Sequence, residues 1–563
     1  MCGIAGVVSK HTHINAVPLL KHMLYAMTHR GPDGAGIAAA GVVQRKRTLR
    51  DICFEELQGP MALGHVRLAV TGGVDGMQPF TGKNLVLLHN GEIYNHHELR
   101  NEFGPTLHCE TDTDSEVILG LLEHFYDGDL YRTVSRLLPL LDGVYVLAVT
   151  DNKQTVLARD KIGVRQLYYS SNENHLAFAS EKKPLLALGI PHDGIARLQP
   201  GHLMVISGND THISEFWNPY ELRSSEYITD PDEALDAYRR VLTKSIRKRI
   251  NGQKRVGIVF SGGIDSMLIA HMLQSENFPF TCYTAGSAGA TDIEWAARLA
   301  QAYGFPLKIK TLSVEDIEAL IPRIIEDIED YSLNQVEVAV PLHAAMTMAQ
   351  ENSERVVLTG QGADELFGGY SWYPRIVDQE GYASFERYSW DDTFLLYKEC
   401  LEREDKIAMA HSIELRVPYL DPEVIEIAFR ISPALKISEH DDQFGKRLHR
   451  DLALFLGIPR EIAYRKKEAA QHGANIHTIL DSLARTAGIT DDSLVSAGYH
   501  PDQFILEKLG SSSRYGFRYG DHHLWKPLSH VQYYLDSRAA QLNLFPLPAK
   551  TRWKQISAAL KAT

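Results

Sequence analysis

The chain has 563 residues, enough for two large domains or about three to four of average size. Hydrophobic residues make up 44% and charged residues 23%, which excludes a disordered, collagenous or disulfide-stapled chain. With 58 Lys+Arg against 71 Asp+Glu the formal net charge is −13, which argues against nucleic acid because phosphate neutralisation needs a basic surface.

The first half alternates short apolar runs with turn residues. Residues 3–9 predict a strand, as do residues 85–89, which lead into the turn-prone pair Asn90-Gly91. Residues 144–150 and 167–170 continue the pattern. Helices are expected over residues 16–28 and 115–126, the latter with Val117, Ile118, Leu121 and Leu122 on one face. Strands with a few helices predict an α+β domain, closed by the turn Leu198-Gln199-Pro200-Gly201. The acidic stretch 218–232 reads as a linker.

The second half changes character. Residues 256–260 form a continuous apolar run that ends in Ser261-Gly262-Gly263 and enters a helical segment, 266–274. Residues 280–284 predict a second strand, followed by a helix from Asp292. Residues 356–359 predict a third, again ending in a Gly-rich loop. Apolar strands in strand–loop–helix units indicate a parallel α/β sheet. Beyond residue 390 the pattern is mostly helical.

No run approaches the roughly 18 apolar residues of a membrane span. Residues 1–10 lack the features of a signal peptide. The cysteines, Cys2, Cys53, Cys109, Cys282 and Cys400, contain no CxxC pair, so free thiols in a reducing, cytoplasmic compartment are expected. Cys2 stands apart. Removal of Met1 would give it a free α-amine, whose ordinary pKa of about 7.7–8 lets it act as a neutral base towards its own thiol. Position alone also allows a small residue that merely follows the initiator.

The context narrows that choice. Met1-Cys2-Gly3-Ile4-Ala5-Gly6, His29-Arg30-Gly31-Pro32-Asp33, His65-Val66-Arg67-Leu68, His89-Asn90-Gly91-Glu92-Ile93-Tyr94-Asn95 and Thr111-Asp112-Thr113-Asp114-Ser115-Glu116 follow in order. Over residues 1–205 this set resembles the class II glutamine amidotransferase domain, an N-terminal-nucleophile fold. The resemblance implies a Cys2 nucleophile and an oxyanion hole from the Asn90 side chain and the Gly91 N–H. It also implies a glutamine pocket in which Arg67 binds the α-carboxylate, Asp114 takes the α-ammonium and Glu92 lies alongside.

Ser261-Gly262-Gly263-Ile264-Asp265-Ser266, between an apolar strand and a helix, offers backbone N–H groups and a helix N-terminus to a phosphate. It is not a Walker A loop. It resembles the pyrophosphate loop of ATP pyrophosphatases; a plain turn with Ser as helix N-cap is the bland alternative. Thr359-Gly360-Gln361-Gly362-Ala363-Asp364-Glu365 follows another strand, and Arg403–Lys406, Ser412–Asp421, Lys446–Arg450 and Tyr464–Glu468 come later. In this order they resemble the synthetase domain of the glutamine-dependent asparagine synthetase family, weakening after about residue 475. The resemblance implies ATP contacts at Val259, Ser261, Gly262, Gly263, Asp265, Ser266, Ala285, Thr359 and Gly360. Asp265 and Asp364 would be Mg²⁺ ligands and Lys467 would stabilise charge during adenylation and amide formation. Gln361, Glu365, Asp292 and Tyr370 are candidates for handling the intermediate, with Arg403 and Lys446 as further candidates.

Two departures stand out. Many family members carry an acid where this chain has Gln361, and a neutral amide cannot act as a base. Gln166 replaces the usual Pro before Leu167-Tyr168-Tyr169 and reads as structural.

The expectation is therefore an αββα glutaminase domain over residues 1–205. A parallel-sheet, adenine nucleotide α-hydrolase-like synthetase domain with a helical C-terminal part would cover residues 206–563. The substrates would be glutamine, aspartate and ATP with Mg²⁺, without nucleic acid or membrane; a homodimer is one assembly the sequence leaves open. Amidation of a different carboxylate, or a non-catalytic binding or storage role, are the alternatives.

Overall fold

The computed structural model describes residues 2–70, 76–107, 109–222, 226–440, 442–466, 468–496 and 529–542. The chain divides into two compact units. The first is Met1–Arg223 with Phe394–Glu414, and the second is Ser224–Thr393 with Leu415–Thr563.

In the first unit the strands are β1 (Gly3–Ser9), β2 (Gly34–Ala39), β3 (Val42–Lys46), β4 (Met61–Arg67), β5 (Phe80–Thr81), β6 (Val86–Ile93) and β7 (Gly143–Thr150). They continue as β8 (Gln154–Arg159), β9 (Tyr168–Ser171), β10 (His175–Ala179), β11 (Ala196–Arg197), β12 (His202–Ser207) and β13 (Asp210–Glu215). One sheet runs β11-β9-β10-β1-β4-β2-β3 and the other β13-β12-β8-β7-β6-β5. The pairings are antiparallel, for example Ala5↔Ala179 and Ala148↔Leu157.

Side-chain alternation builds the layers. Ile4 and Leu63 of one sheet meet Leu88, Val146, Ala148 and Leu157 of the other in a shared core. The neighbouring residues Ala5 and Val7 turn the other way, onto α1 (Val17–Tyr25), through Val17, Leu20 and Leu24. On the far face Leu87, Leu147 and Val149 pack on α2 (Asp114–Phe125) and α3 (Leu130–Leu137), where Val117, Ile118, Leu121 and Leu122 form the buried stripe. The result is the expected αββα sandwich.

Asn90-Gly91 corrects one sequence reading. The pair is not a turn: it lies inside β6, in register with β7 as Asn90↔Val146 and Gly91↔Tyr145. Local turn propensity yields to two-sided burial in a sheet.

The segment Phe394–Glu414 belongs to the first unit, although the sequence division at residue 206 assigns it to the second. Its helix Leu401–Ala410 carries Glu402, Arg403, Glu404, Asp405 and Lys406, all buried. Gln166 is structural as read: its Oε1 accepts from Arg159 at 2.8 Å, and its Nε2 donates to the Tyr397 carbonyl of this segment at 3.1 Å.

The second unit holds a sheet in the order β16-β15-β14-β17-β18, from β14 (Val256–Val259), β15 (Phe280–Ser287), β16 (Leu307–Leu312), β17 (Val356–Leu358) and β18 (Glu414–Arg416). The β14–β15, β14–β17 and β15–β16 pairings are parallel. The chain steps outward from β14 to β16, then returns to β17 on the other side of β14. Such a switch point opens a crevice at the carboxyl ends of β14 and β17, where α/β sheets bind ligands. The stretch read as a linker instead contains the start of a helix, Pro231–Ile250, capped by Asp230 through the Glu233 N–H. Among the described residues no helix is long and apolar enough to cross a membrane.

Candidate active sites

The first site forms where β1 begins. Cys2 is buried, and each of its backbone polar groups has a side-chain partner. Its nitrogen donates to Asn90 Oδ1 at 2.9 Å, and its carbonyl accepts from Arg30 Nε at 3.1 Å. Two residues on, the Ile4 N–H donates to Ser180 Oγ at 3.0 Å. The thiol is left facing a pocket lined by Cys2, Arg67, Gly91, Glu92 and Asp114, together with Gln78, His89 and Ser115. Burial pushes the Cys2 thiol up, opposed by nearby positive charge that includes Arg67.

Each pocket residue is placed by its element. Arg67 ends β4, and Asp114 opens α2, where its Oδ2 accepts the Ile93 N–H at 3.0 Å. Gly91 has no alternative: a Cβ there would come within 2.1 Å of the Val144 carbonyl oxygen. With Asn90 Oδ1 turned to the Cys2 nitrogen, Nδ2 remains a donor, 3.4 Å from Ser180 Oγ. The expected glutamine-site residues are thus gathered around one thiol. The sequence reading did not assign Gln78, His89 and Ser115, which line the same pocket. Gln78 pairs with the His89 backbone and Ser115 Oγ lies 2.9 Å from His89 Nδ1, and no spacing rule marks them.

Beneath Cys2 lies a buried ionic cluster that the sequence did not reveal. Arg30 Nη1 donates to Glu181 Oε1 at 2.8 Å and to Asp405 Oδ2 at 3.0 Å. Lys183 and His29 also approach Glu181, at 3.3 and 3.0 Å. Burial opposes the ionisation of Glu181, yet His29, Lys183 and Arg30 together hold it well below the usual carboxylate range. Asp405 meets Arg165 at 3.4 Å, and Arg165 meets Glu414 at the same distance.

The second site sits at the switch point. Ser261, Gly262 and Gly263 link β14 to the helix Ile264–Ser275, whose N-cap is Gly263 with no side-chain cap. The bland reading of a Ser-capped turn is therefore incorrect, and the first-turn N–H groups remain available to an anion. Gly262 adopts φ +68°, and a Cβ there would lie 2.9 Å from Ala296 N, so the tight loop requires glycine. Ser266 Oγ donates to the Gly263 carbonyl at 3.1 Å. Arg465 braces the loop by donating to the Ser261 carbonyl and to Asp292, both at 3.0 Å. The strand pairings bring the end of β14 with Val259, Ala285 in β15, and Thr359 and Gly360 after β17 to the same edge of the sheet.

Asp265 and Asp364 converge on one cation. Lys446 Nζ lies 2.6 Å from Asp265 Oδ1 and 2.8 Å from Asp364 Oδ1. Burial lowers the Lys446 pKa while Asp265 pulls it back. His449 Nε2 stands 3.1 Å from the same Asp265 oxygen. Glu365 is buried, with one oxygen accepting from the Tyr370 hydroxyl, and burial pushes its pKa up to about 7. Gln361 is half-buried in the loop between Gly360 and Gly362. Arg403 lies in the first unit, 3.6 Å from Glu404, rather than on these loops. Lys467 falls outside the described residues.

Among the described residues no group of three or more His, Cys, Asp or Glu is gathered as a metal site. The Asp265–Asp364 pair nevertheless fits Mg²⁺, which takes one or two carboxylates and completes its shell with phosphate and water. The two side chains already share one cation position.

A Cys2 thiol at the start of an αββα sandwich, joined in one chain to a glycine-rich strand–helix loop on a parallel sheet, points to a glutamine amidotransferase coupled to an ATP-using ligase. The Glutamine amidotransferase domain family matches residues 1–193, and the Asparagine synthase family matches residues 237–384 and 377–537. A Methanocaldococcus jannaschii relative, named provisionally as a glutamine-hydrolyzing asparagine synthetase, is 34% identical over 87% of this chain and 96% of its own. The glutamine-hydrolyzing asparagine synthetases of Lotus japonicus and Homo sapiens are 27% and 28% identical. They align over 88% and 84% of this chain and 82% and 84% of theirs. The chain belongs to the asparagine synthase family.

Proposed function

We propose that the chain makes asparagine from aspartate, ATP and glutamine. The arrangement that carries this reading is the Cys2 thiol, its nitrogen on Asn90 and its carbonyl on Arg30, facing a pocket that holds Arg67 and Asp114.

In the first unit Arg67 binds the glutamine α-carboxylate, and Asp114 and Glu92 take the α-ammonium. Once Met1 is removed, the Cys2 amine held by Asn90 takes the thiol proton. The sulfur attacks the carboxamide, and the oxyanion is met by Asn90 Nδ2 and the Gly91 N–H. Ammonia leaves with that proton, and water hydrolyses the γ-glutamyl thioester to glutamate.

In the second unit the phosphates of ATP lie on Ser261–Ser266, with adenosine against Val259, Ala285, Thr359 and Gly360. Asp265 and Asp364 would hold Mg²⁺, which neutralises phosphate charge when bound. The aspartate side-chain carboxylate attacks the α-phosphorus and pyrophosphate departs. Ammonia then attacks the acyl carbon, releasing AMP and asparagine. Lys467 stabilises charge in both steps, and Glu365, Tyr370, Asp292 and Gln361 surround the intermediate. A cytoplasmic location supplies these substrates and keeps the thiol reduced.

Gln361 is the specific observation for a second reading, amidation of another carboxylate, because it leaves this loop position uncharged. Incubation with glutamine, ATP, Mg²⁺ and a panel of carboxylic acids tests both readings. Aspartate should give asparagine with equimolar pyrophosphate and AMP. Turnover of another acid with none of aspartate would overturn the asparagine assignment.

A further inference from the structure

We infer that Asp405 is a positioning residue for the Cys2 nucleophile, acting through the Arg30 guanidinium that grips the Cys2 carbonyl. This rests on the glutaminase reading of the first unit.

The geometry is a short relay. Arg30 is wholly buried, and its Nε reaches the Cys2 carbonyl at 3.1 Å. Its orientation is fixed at Nη1 by two carboxylates, Glu181 at 2.8 Å and Asp405 at 3.0 Å. They differ in how far each is committed elsewhere. Glu181 also serves Lys183 and His29, whereas Asp405 has one further cation near it, Arg165 at 3.4 Å. Asp405 is 2% exposed, so water does not replace it.

Charge explains why such a residue is held there. Arg30, Arg165, Lys183 and His29 approach the buried carboxylates of Glu181, Asp405 and Glu414. Removing one buried anion leaves an uncompensated charge in a dry core, which the cluster relieves by moving. Arg30 is the member bonded to the nucleophile, so its movement displaces Cys2. Covalent catalysis tolerates little displacement, because the attacking sulfur, the amine and the oxyanion donors must align together. The Asp405 side chain comes from the helix Leu401–Ala410, 375 residues beyond Arg30 in the chain, which is why no motif near Cys2 announces it.

Asp405→Asn keeps the shape and removes the charge. The full-length variant is assayed for glutamate release and, separately, for ammonia-dependent asparagine synthesis. Glutaminase kcat should fall about 10- to 100-fold with the glutamine KM within about twofold of wild type, because alignment rather than binding is lost. Ammonia-dependent synthesis should persist. Arg30→Lys should reproduce the defect, and the double variant should be no worse than Arg30→Lys alone. Glu402→Gln on the same helix removes a buried carboxylate that pairs with Lys406 at 2.6 Å and is bonded to neither Arg30 nor Cys2. It should leave glutaminase kcat in place.

Unchanged kcat in folded Asp405→Asn, additive losses in the double variant, or an equal loss in Glu402→Gln would each overturn the inference. If Asp405→Asn does not fold, Asp405→Glu carries the test: its charge is kept but displaced by one methylene, and wild-type kcat there would also overturn it. Failure of the wild-type chain to hydrolyse glutamine sinks the glutaminase reading itself, an outcome distinct from all of these.

Discussion

The cysteine site and the phosphate-loop site handle charge in opposite ways. Around Cys2 the protein supplies its own partners: side chains hold the Cys2 nitrogen and carbonyl, and Arg30 is fully buried in its ion cluster. Around Ser261–Ser266 the protein leaves groups for the ligand: an uncapped helix start, and two carboxylates whose side chains remain 19% and 16% exposed beside Lys446. A covalent mechanism needs its nucleophile aligned before substrate arrives. On the proposed nucleotide reading of the second site the ligand brings its own charge, and Lys446 holds the two carboxylates together until it arrives. The first site is thus held by the protein's own side chains, while the second keeps partly exposed groups within a ligand's reach.

The sharpest break of this comparison is Cys2→Ala. Glutamine-dependent synthesis should disappear, at least about 10³-fold, while synthesis from added ammonia continues. Loss of both activities, read by pyrophosphate and asparagine release, would show that the sites do not work separately. Asp364→Asn is the converse. It should cut ATP-dependent pyrophosphate release by about 10²-fold or more and spare glutamate release. Equal loss of glutaminase would place Asp364 in a structural role.

Gly91→Ala tests how tightly the first site is packed. The new methyl group would meet the Val144 carbonyl oxygen at 2.1 Å, so about 1–3 kcal/mol of stability should be lost, together with glutaminase activity. Urea unfolding that matches wild type would refute the close approach. Lys436, buried in the second unit over the Phe429 ring at 5.2 Å, gives the smallest effect. Burial holds its pKa down to about 7, from 10.5. The unfolded chain therefore binds more protons than the folded one between those values, and this residue makes stability rise with pH across that window. Lys436→Met should flatten the slope and stabilise the protein near pH 7 by about 1–3 kcal/mol. Parallel denaturation profiles for the two proteins at about pH 7 and pH 9.5 would contradict it.

Much of both sites was legible in the sequence because backbone-bound chemistry is local. The strand–glycine–helix order at Ser261–Ser266 survives intact, as do Arg67 and Asp114 at the ends of their elements. Asn90-Gly91 misled as a turn because dipeptide propensity does not register a partner strand on one side and a packed pocket on the other. Residues 218–232 looked like a linker although two of their acidic residues, Asp230 and Asp232, are the cap and first turn of the helix Pro231–Ile250. The run Arg403–Lys406 is wholly charged, yet all four residues are buried: Asp405 meets Arg30 and Arg165, distant in the chain, and Lys406 meets Glu402 one turn earlier.

The sequence by itself determined the apolar periods of the strands and helices, the place of Cys2 at the start of a strand and the strand–glycine–helix order of Ser261–Ser266. Those features depend on neighbours within a few residues. Only the tertiary structure decided that Phe394–Glu414 returns to the first unit, that Arg30, Glu181 and Asp405 meet behind Cys2, and that Lys446 sits between Asp265 and Asp364. A buried ion has to be matched by an opposite charge wherever the fold can bring one, and no local pattern encodes that match.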